Sequence, residues 1–225
     1  NAAHLAYTPQ QTRENAACYY GMISLMDHHI GRILDGLEAV GELENTLIVF
    51  TSDHGEFLGD HGLWWKELYP YEESLRVPCI VSWPGHLPQN RQSPALQGLI
   101  DFAPTWLSLA GIPVPPQFEG RDQSAVWKGE APQVRAGICV EDRPHDAPFN
   151  QRVWITPRHK LVAYTTPGWG ELYDLESDPH QTRNLWRDPA HSDLRQQLLS
   201  ELLADMMNRT APYHASYPAD AGQPA

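Results

Sequence analysis

The spacing of apolar residues divides the chain into a helical opening, an α/β middle and a β-rich end. Over residues 13–40, Met22, Met26, Ile30, Ile33, Leu34 and Leu37 recur at helical intervals, which predicts a helix with one buried face. Gly41 stands where such a helix would stop. Thr46-Leu47-Ile48-Val49-Phe50-Thr51 is a short continuous run of strand formers, predicting a strand buried on both faces in the middle of an α/β sheet. A polar loop over residues 52–71 leads to a second such run, Pro78-Cys79-Ile80-Val81-Ser82-Trp83, stopped by Pro84-Gly85. Residues 96–110 predict a helix with Asp101 and Pro104 near its start and Gly111-Ile112-Pro113 at its end.

Residues 112–133 are Pro-rich and predict surface loop, and residues 134–140 predict a third strand. Beyond Asp142 the pattern changes. Val153-Trp154-Ile155-Thr156, Lys160-Leu161-Val162-Ala163-Tyr164 and Glu171-Leu172-Tyr173-Asp174-Leu175 are short runs joined by Pro and Gly turns, as in an antiparallel meander. Residues 194–207 return to helical spacing, and residues 210–225, rich in Ala and Pro, predict an extended tail. The expected layout is a parallel-leaning α/β part over residues 1–145 and a small antiparallel sheet-and-helix subdomain over residues 146–225.

Composition narrows the function classes. A net charge of -12 leaves no basic stripe for nucleic acid, and no apolar run approaches the roughly 18–20 residues that span a bilayer. The three cysteines, Cys18, Cys79 and Cys139, are widely spaced and odd in number. They read as reduced core residues, which points to a reducing, cytoplasmic compartment.

The chemistry is concentrated in Thr51-Ser52-Asp53-His54-Gly55-Glu56-Phe57-Leu58-Gly59-Asp60-His61-Gly62-Leu63-Trp64-Trp65-Lys66. Asp53 and His54 follow the carboxyl end of a predicted strand, where α/β sheets bind ligands. A carboxylate beside an imidazole offers an oxygen and a nitrogen donor to a divalent cation, and Gly55 would let the backbone turn sharply there. Lys66 could place one positive charge on an anionic ester. The plain alternatives are a turn with a satisfied histidine, a solvated lysine and two packing tryptophans. His28-His29, adjacent on a helix, face different ways, and Asp142, His145 and Asp146 read as a polar loop. From the residues alone, this is a metal-dependent α/β enzyme or a metal-free polar loop.

Several ordered motifs resemble the type I sulfatases of the alkaline phosphatase superfamily. They are Tyr19-Tyr20-Gly21-Met22-Ile23-Ser24-Leu25-Met26-Asp27 with Gly31; Thr51-Ser52-Asp53-His54-Gly55; Gly59-Asp60-His61-Gly62-Leu63 with Lys66; and Tyr71-Glu72-Glu73 with Arg76-Val77-Pro78 and Trp83-Pro84-Gly85. Asp101-Phe102-Ala103-Pro104-Thr105, Ala110-Gly111, Glu171-Leu172-Tyr173-Asp174-Leu175, Asp178-Pro179 and Asn184-Leu185 extend the match over most of residues 15–190. The Gly-Asp-His-Gly-Leu run is similar to the choline-sulfatase and phosphonate monoester hydrolase branches.

The resemblance implies the carboxy-terminal part of an alkaline-phosphatase-like α/β/α sandwich, with residues 1–145 carrying half of the metal and sulfate site. It implies that Asp53 and His54 are metal ligands, that Lys66 contacts the sulfate ester as the catalytic lysine, and that His61 touches substrate or holds the loop. The implied cofactors are a divalent metal, Ca2+ or Mn2+/Zn2+, and a formylglycine nucleophile. The implied substrate is a small-molecule sulfate, phosphate or phosphonate ester, with no nucleic acid or membrane partner. None of Cys18, Cys79 or Cys139 sits in the Cys/Ser-x-Pro/Ala-Ser-Arg motif that yields formylglycine, so the chain is expected to be inactive alone. An exposed sheet edge is expected to favour self-association. The alternative functions are a phosphonate monoester or phosphodiester hydrolase, a phosphate-transferring mutase, and a non-catalytic interaction domain.

Overall fold

Thr8 starts the first helix, α1 (Pro9–Ala39). Its hydroxyl accepts from the Gln11 N–H while the Gln11 side chain accepts from the Thr8 N–H, and Pro9 fills the first helical position. That capping box begins the helix four residues before the periodic apolar pattern does. At the other end, Gly41 at φ 74° donates to Glu38 O and Glu42 donates to Leu37 O, the paired bonds of a Schellman stop. The computed structural model describes residues 3–4, 7–66, 69–142 and 150–210, and contacts divide the chain into two units, Asn1–Arg91 and Gln92–Ala225. The predicted change of pattern near residue 145 lies outside the described residues, as do His145, Asp146 and the tail beyond residue 210.

In the first unit, α1 buries no side chain completely. Ile30, Leu34 and Leu37 lie on its half-covered stripe, whereas Met22, Met26 and Ile33 are 61%, 49% and 64% exposed. The periodicity identified the helix and only half of its covered face. Strand β2 (Ile48–Thr51) pairs antiparallel with β4 (Cys79–Ser82), Ile48 opposite Ser82 and Thr51 opposite Cys79. The expectation of a parallel, doubly buried strand is corrected: among the described residues every strand pair is antiparallel. β2 is half-buried throughout, and Ile80 is 61% exposed. An apolar run states that a strand can be covered; it does not encode the direction of its partner. Because Thr51 faces Cys79, both ends of loop 52–78 are anchored at one end of this ribbon. Two small strands, β1 (Ala3–His4) and β3 (Leu63–Trp64), pair within the unit, and α2 (Glu72–Leu75) closes the loop.

The second unit opens on a 3-10 turn (Leu99–Asp101) running into α3 (Phe102–Leu109). The α-helix starts later than predicted, after a 3-10 turn that is capped by the Asp101 carboxylate. It accepts from Gly98 N (2.9 Å), Arg121 N (2.7 Å) and Gln123 Nε2 (3.1 Å), and it pairs with Arg135. Gly120 lies against this turn, where a Cβ would fall 2.0 Å from Ile100 O. A short helix, α4 (Ser124–Lys128), occupies the Pro-rich stretch expected to be loop throughout.

Strands β5 (Ile138–Asp142), β6 (Gln151–Ile155), β7 (His159–Tyr164) and β8 (Gly170–Asp174) form an antiparallel sheet in chain order, covered by α5 (Ser192–Thr210). Trp154, Leu161, Leu172, Leu185, Leu198 and Leu202 make the core between them. The Glu171–Leu175 and Asn184-Leu185 motifs are structural: Asn184 Oδ1 accepts from Leu172 N and Trp186 N, and its Nδ2 donates to Gly170 O. The meander and the final helix match the sequence reading.

The cysteines are free, as expected, but Cys18 and Cys79 are exposed rather than in the core. Among the described residues no helix is long and apolar enough to cross a membrane.

Asp101 and Arg135 are a buried ion pair, with side chains 0% and 9% exposed. Asp101→Ala should therefore cost about 3–5 kcal/mol in denaturant unfolding, because it strands the guanidinium and three N–H donors. Arg158→Ala, removing the surface pair with Asp174 in which Arg158 is 58% exposed, should cost less than about 1 kcal/mol. Equal costs would contradict this assignment of the buried network.

Candidate active site

The chain leaves β2 and makes a close backbone approach. Gly55 N donates to Ser74 O at 2.8 Å, and a Cβ on Gly55 would fall 1.8 Å from Glu73 O. The glycine is required here for proximity rather than for the sharp turn expected from the sequence, since its φ is not in the left-handed region. The contact presses residues 53–55 against α2. Ser52 Oγ donates to His54 O at 2.8 Å, and His54 N donates to Asp53 Oδ1 at 3.0 Å, which ties the turn internally.

Residues 57–65 fold back as a compact loop around buried Phe57, Leu63 and Trp64. Phe57 N donates to Trp65 O at 3.0 Å and Gly59 N to Leu63 O at 2.8 Å. The Glu56 carboxylate accepts from Leu58 N and Trp65 N, at 3.2 and 2.6 Å. Leu58, His61 and Trp65 hold φ of 51°, 53° and 69°. Left-handed backbone at a non-glycine residue costs roughly 1–2 kcal/mol. Such strain persists where surrounding bonds over-determine the loop, and here it brings the end of the loop back to its start.

The result is a contact between residues twelve positions apart. Lys66 Nζ lies 2.6 Å from His54 Nε2. His54 Nδ1 is 2.8 Å from Gly55 O, and a carbonyl only accepts, so Nδ1 carries the proton and Nε2 presents its lone pair. Asp53 Oδ2 is 3.5 Å from the same Nε2, with the Asp53 side chain 81% exposed. Partial desolvation raises the Asp53 pKa, but backbone N–H groups, the His54 imidazole and the Ser52 hydroxyl outweigh it and hold the carboxyl below its ordinary value. One carboxylate oxygen and one imidazole nitrogen thus lie 3.5 Å apart, and the nitrogen already attracts a cationic group. The backbone carbonyl behind the imidazole is the outer partner that ligating histidines use. This donor pair fits a divalent cation. Among the described residues no set of three or more His, Cys, Asp or Glu converges on one.

His61 sits apart from that contact. Its ring stacks on Tyr71, with centroids 3.9 Å apart and planes 5° off parallel, and Nε2 is 3.6 Å from Glu73 Oε2. Both side chains are 17% exposed although the His61 backbone is on the surface. Tyr69 stacks in turn on Tyr71 at 6.5 Å. Trp64 is packing, whereas Trp65 is 52% exposed. His28 and His29 are on the exposed surface of α1. Single-residue reasoning missed Glu56, Tyr71 and Glu73 because the contacts that matter to the site, with Trp65 and His61, are nine or more positions away; the available signal was Tyr71-Glu72-Glu73 as a motif.

Gly55→Ala should destabilise the first unit by about 2–3 kcal/mol, since backbone must move to admit the methyl group. Gly36→Ala, in α1 with nothing within 4 Å of the added carbon, should gain about 0.5–1 kcal/mol. Thermal unfolding of both variants tests the close approach, and a neutral Gly55→Ala would contradict it.

The sulfatase family profile matches residues 3–112, and the profile described as N-sulphoglucosamine sulphohydrolase, C-terminal, matches residues 59–208. The chain is 32% identical over 191 residues to an N-acetylglucosamine-6-O-sulfatase of Bacteroides thetaiotaomicron, covering 82% of this chain and 34% of that protein. It is 31% identical over 185 residues to a choline-sulfatase of Rhizobium meliloti, covering 81% of this chain and 35% of that protein. The solved phosphonate monoester hydrolase of Agrobacterium radiobacter superposes with a TM-score of 0.81 at 28% identity, covering 91% of this chain and 43% of that one. The chain spans well under half the length of these relatives. Two family profiles along most of its length, and the same fold in a hydrolase of the superfamily, place this chain in the type I sulfatase family of the alkaline phosphatase superfamily.

Proposed function

We propose that the whole protein to which this chain belongs hydrolyses a sulfate ester, and that this chain supplies half of the site. Asp53 and His54 are the residues that would hold a divalent cation, through a carboxylate oxygen and Nε2. The imidazole nitrogen suits manganese or zinc better than calcium, which prefers oxygen donors alone. When bound, such a cation supplies Lewis-acid polarisation of the ester and of a nucleophile, and formylglycine is the nucleophile implied by the family.

The remaining work falls to side chains. Lys66 places an ammonium where ester oxygens gain negative charge as the bond breaks. Glu56 fixes the backbone of the residue before that lysine by accepting from Trp65 N. Glu73 and Tyr71 hold the His61 ring in one orientation, from which we assign it a contact to substrate. The observation that carries the reading is the 2.6 Å contact of Lys66 with His54: ester-binding cation and metal-ligand nitrogen meet at one point.

A phosphonate monoester or phosphodiester hydrolase is the second reading, favoured by the likeness to the Agrobacterium radiobacter enzyme. The test is turnover of nitrophenyl sulfate against a nitrophenyl phosphodiester by the whole protein. We expect the sulfate to be preferred, and Lys66→Ala to lower kcat/KM by roughly 100-fold or more. Preference for the diester would favour the second reading, and full activity without Lys66 would contradict both. The 225-residue chain alone is expected to turn over neither.

A further inference from the structure

The Lys66–His54 contact has two partners for one lone pair. With Nδ1 donating to Gly55 O, the Nε2 lone pair is the only acceptor on the ring, and the lysine ammonium takes it at 2.6 Å. A divalent cation ligated by His54 needs that same lone pair. It would also bring its charge to within a few ångströms of the ammonium, on a nitrogen that lies 3.5 Å from Asp53 Oδ2. Both cations cannot be seated on Nε2. Lys66 has a route away from it: the backbone of Trp65, the residue before it, is fixed by Glu56 and Phe57, while its own flexible four-carbon stem lets the head group move.

We propose that Lys66 is a positioning residue for the Asp53–His54 pair as well as an ester-binding group. Its ammonium is the resident cation that holds His54 in the Nδ1–H tautomer with Nε2 facing the site, and a divalent cation must displace it. Cation binding at Nε2 and the Lys66 contact would be mutually exclusive, so with His54 ligating a cation the Lys66 ammonium would be free to bind ester oxygens. The inference rests on the reading of Asp53 and His54 as metal ligands.

The experiment is a zinc and manganese titration of the 225-residue chain, by calorimetry and by competition with a chelating dye. The variants are Lys66→Met, Lys66→Gln and His54→Ala. Removing a unit charge a few ångströms from a divalent cation should tighten binding roughly three- to tenfold in both lysine variants, while His54→Ala should lose the site. In the unsubstituted chain, NMR should show zinc shifting the His54 Nε2 resonance as the Lys66 ammonium protons are released to fast exchange with water. This second readout is independent of how the variants fold.

If binding depends on His54 but neither lysine variant binds more tightly, the metal reading stands and the displacement is wrong. If metal binds equally well to His54→Ala, or not at all to any variant, the ligand reading fails and the displacement fails with it.

Discussion

The backbone contact of Gly55 with residues 73 and 74 is the constraint on which the site depends. Any side chain at position 55 would overlap Glu73 O, so the chain can approach α2 only through glycine. That approach fixes the turn carrying Asp53 and His54. The loop that follows, held by the Glu56 carboxylate and by left-handed backbone at Leu58, His61 and Trp65, returns Lys66 to the imidazole. The same α2 segment supplies Glu73, whose side chain meets His61. A single close approach therefore sets the Asp53–His54 turn and the orientation of a second histidine.

The second unit is organised differently, around a buried charge. Asp101 is fully buried and its partners come from residues 98, 121, 123 and 135, so one carboxylate ties a turn, a loop and the approach to β5. The sheet and α5 add an aliphatic core around Trp154, whose Nε1 donates to Glu201 Oε2 at 3.0 Å. Such buried charge is costly unless every partner is in place, which favours one arrangement of these segments over alternatives.

What could be read from the sequence follows the range of the forces involved. The meander, α5 and α1 were legible because their signals lie within one element: alternation, helical period, Pro and Gly punctuation. The start of α1 was also written locally, in Thr8, Pro9 and Gln11. The antiparallel pairing of β2 with β4 was not, because Ile48–Thr51 has the same apolar run whichever direction its partner takes. Asp53, His54, His61 and Lys66 could be nominated from residue type and motif, but their mutual placement could not. That placement needs the Gly55 approach, a contact between residues nearly twenty positions apart. Glu56 and Glu73 escaped notice for the same reason, since a carboxylate in a polar loop gives no sign of what it accepts from or pairs with.

If the pinned turn presents Asp53 and His54 to a metal at a point otherwise held by Lys66, crystals of this chain soaked in manganese should show it by anomalous diffraction. The expected result is an anomalous peak about 2.0–2.3 Å from an Asp53 oxygen and His54 Nε2, with Lys66 Nζ withdrawn from its 2.6 Å contact. A peak at other residues, or a peak at His54 with Lys66 still in place on Nε2, would contradict it.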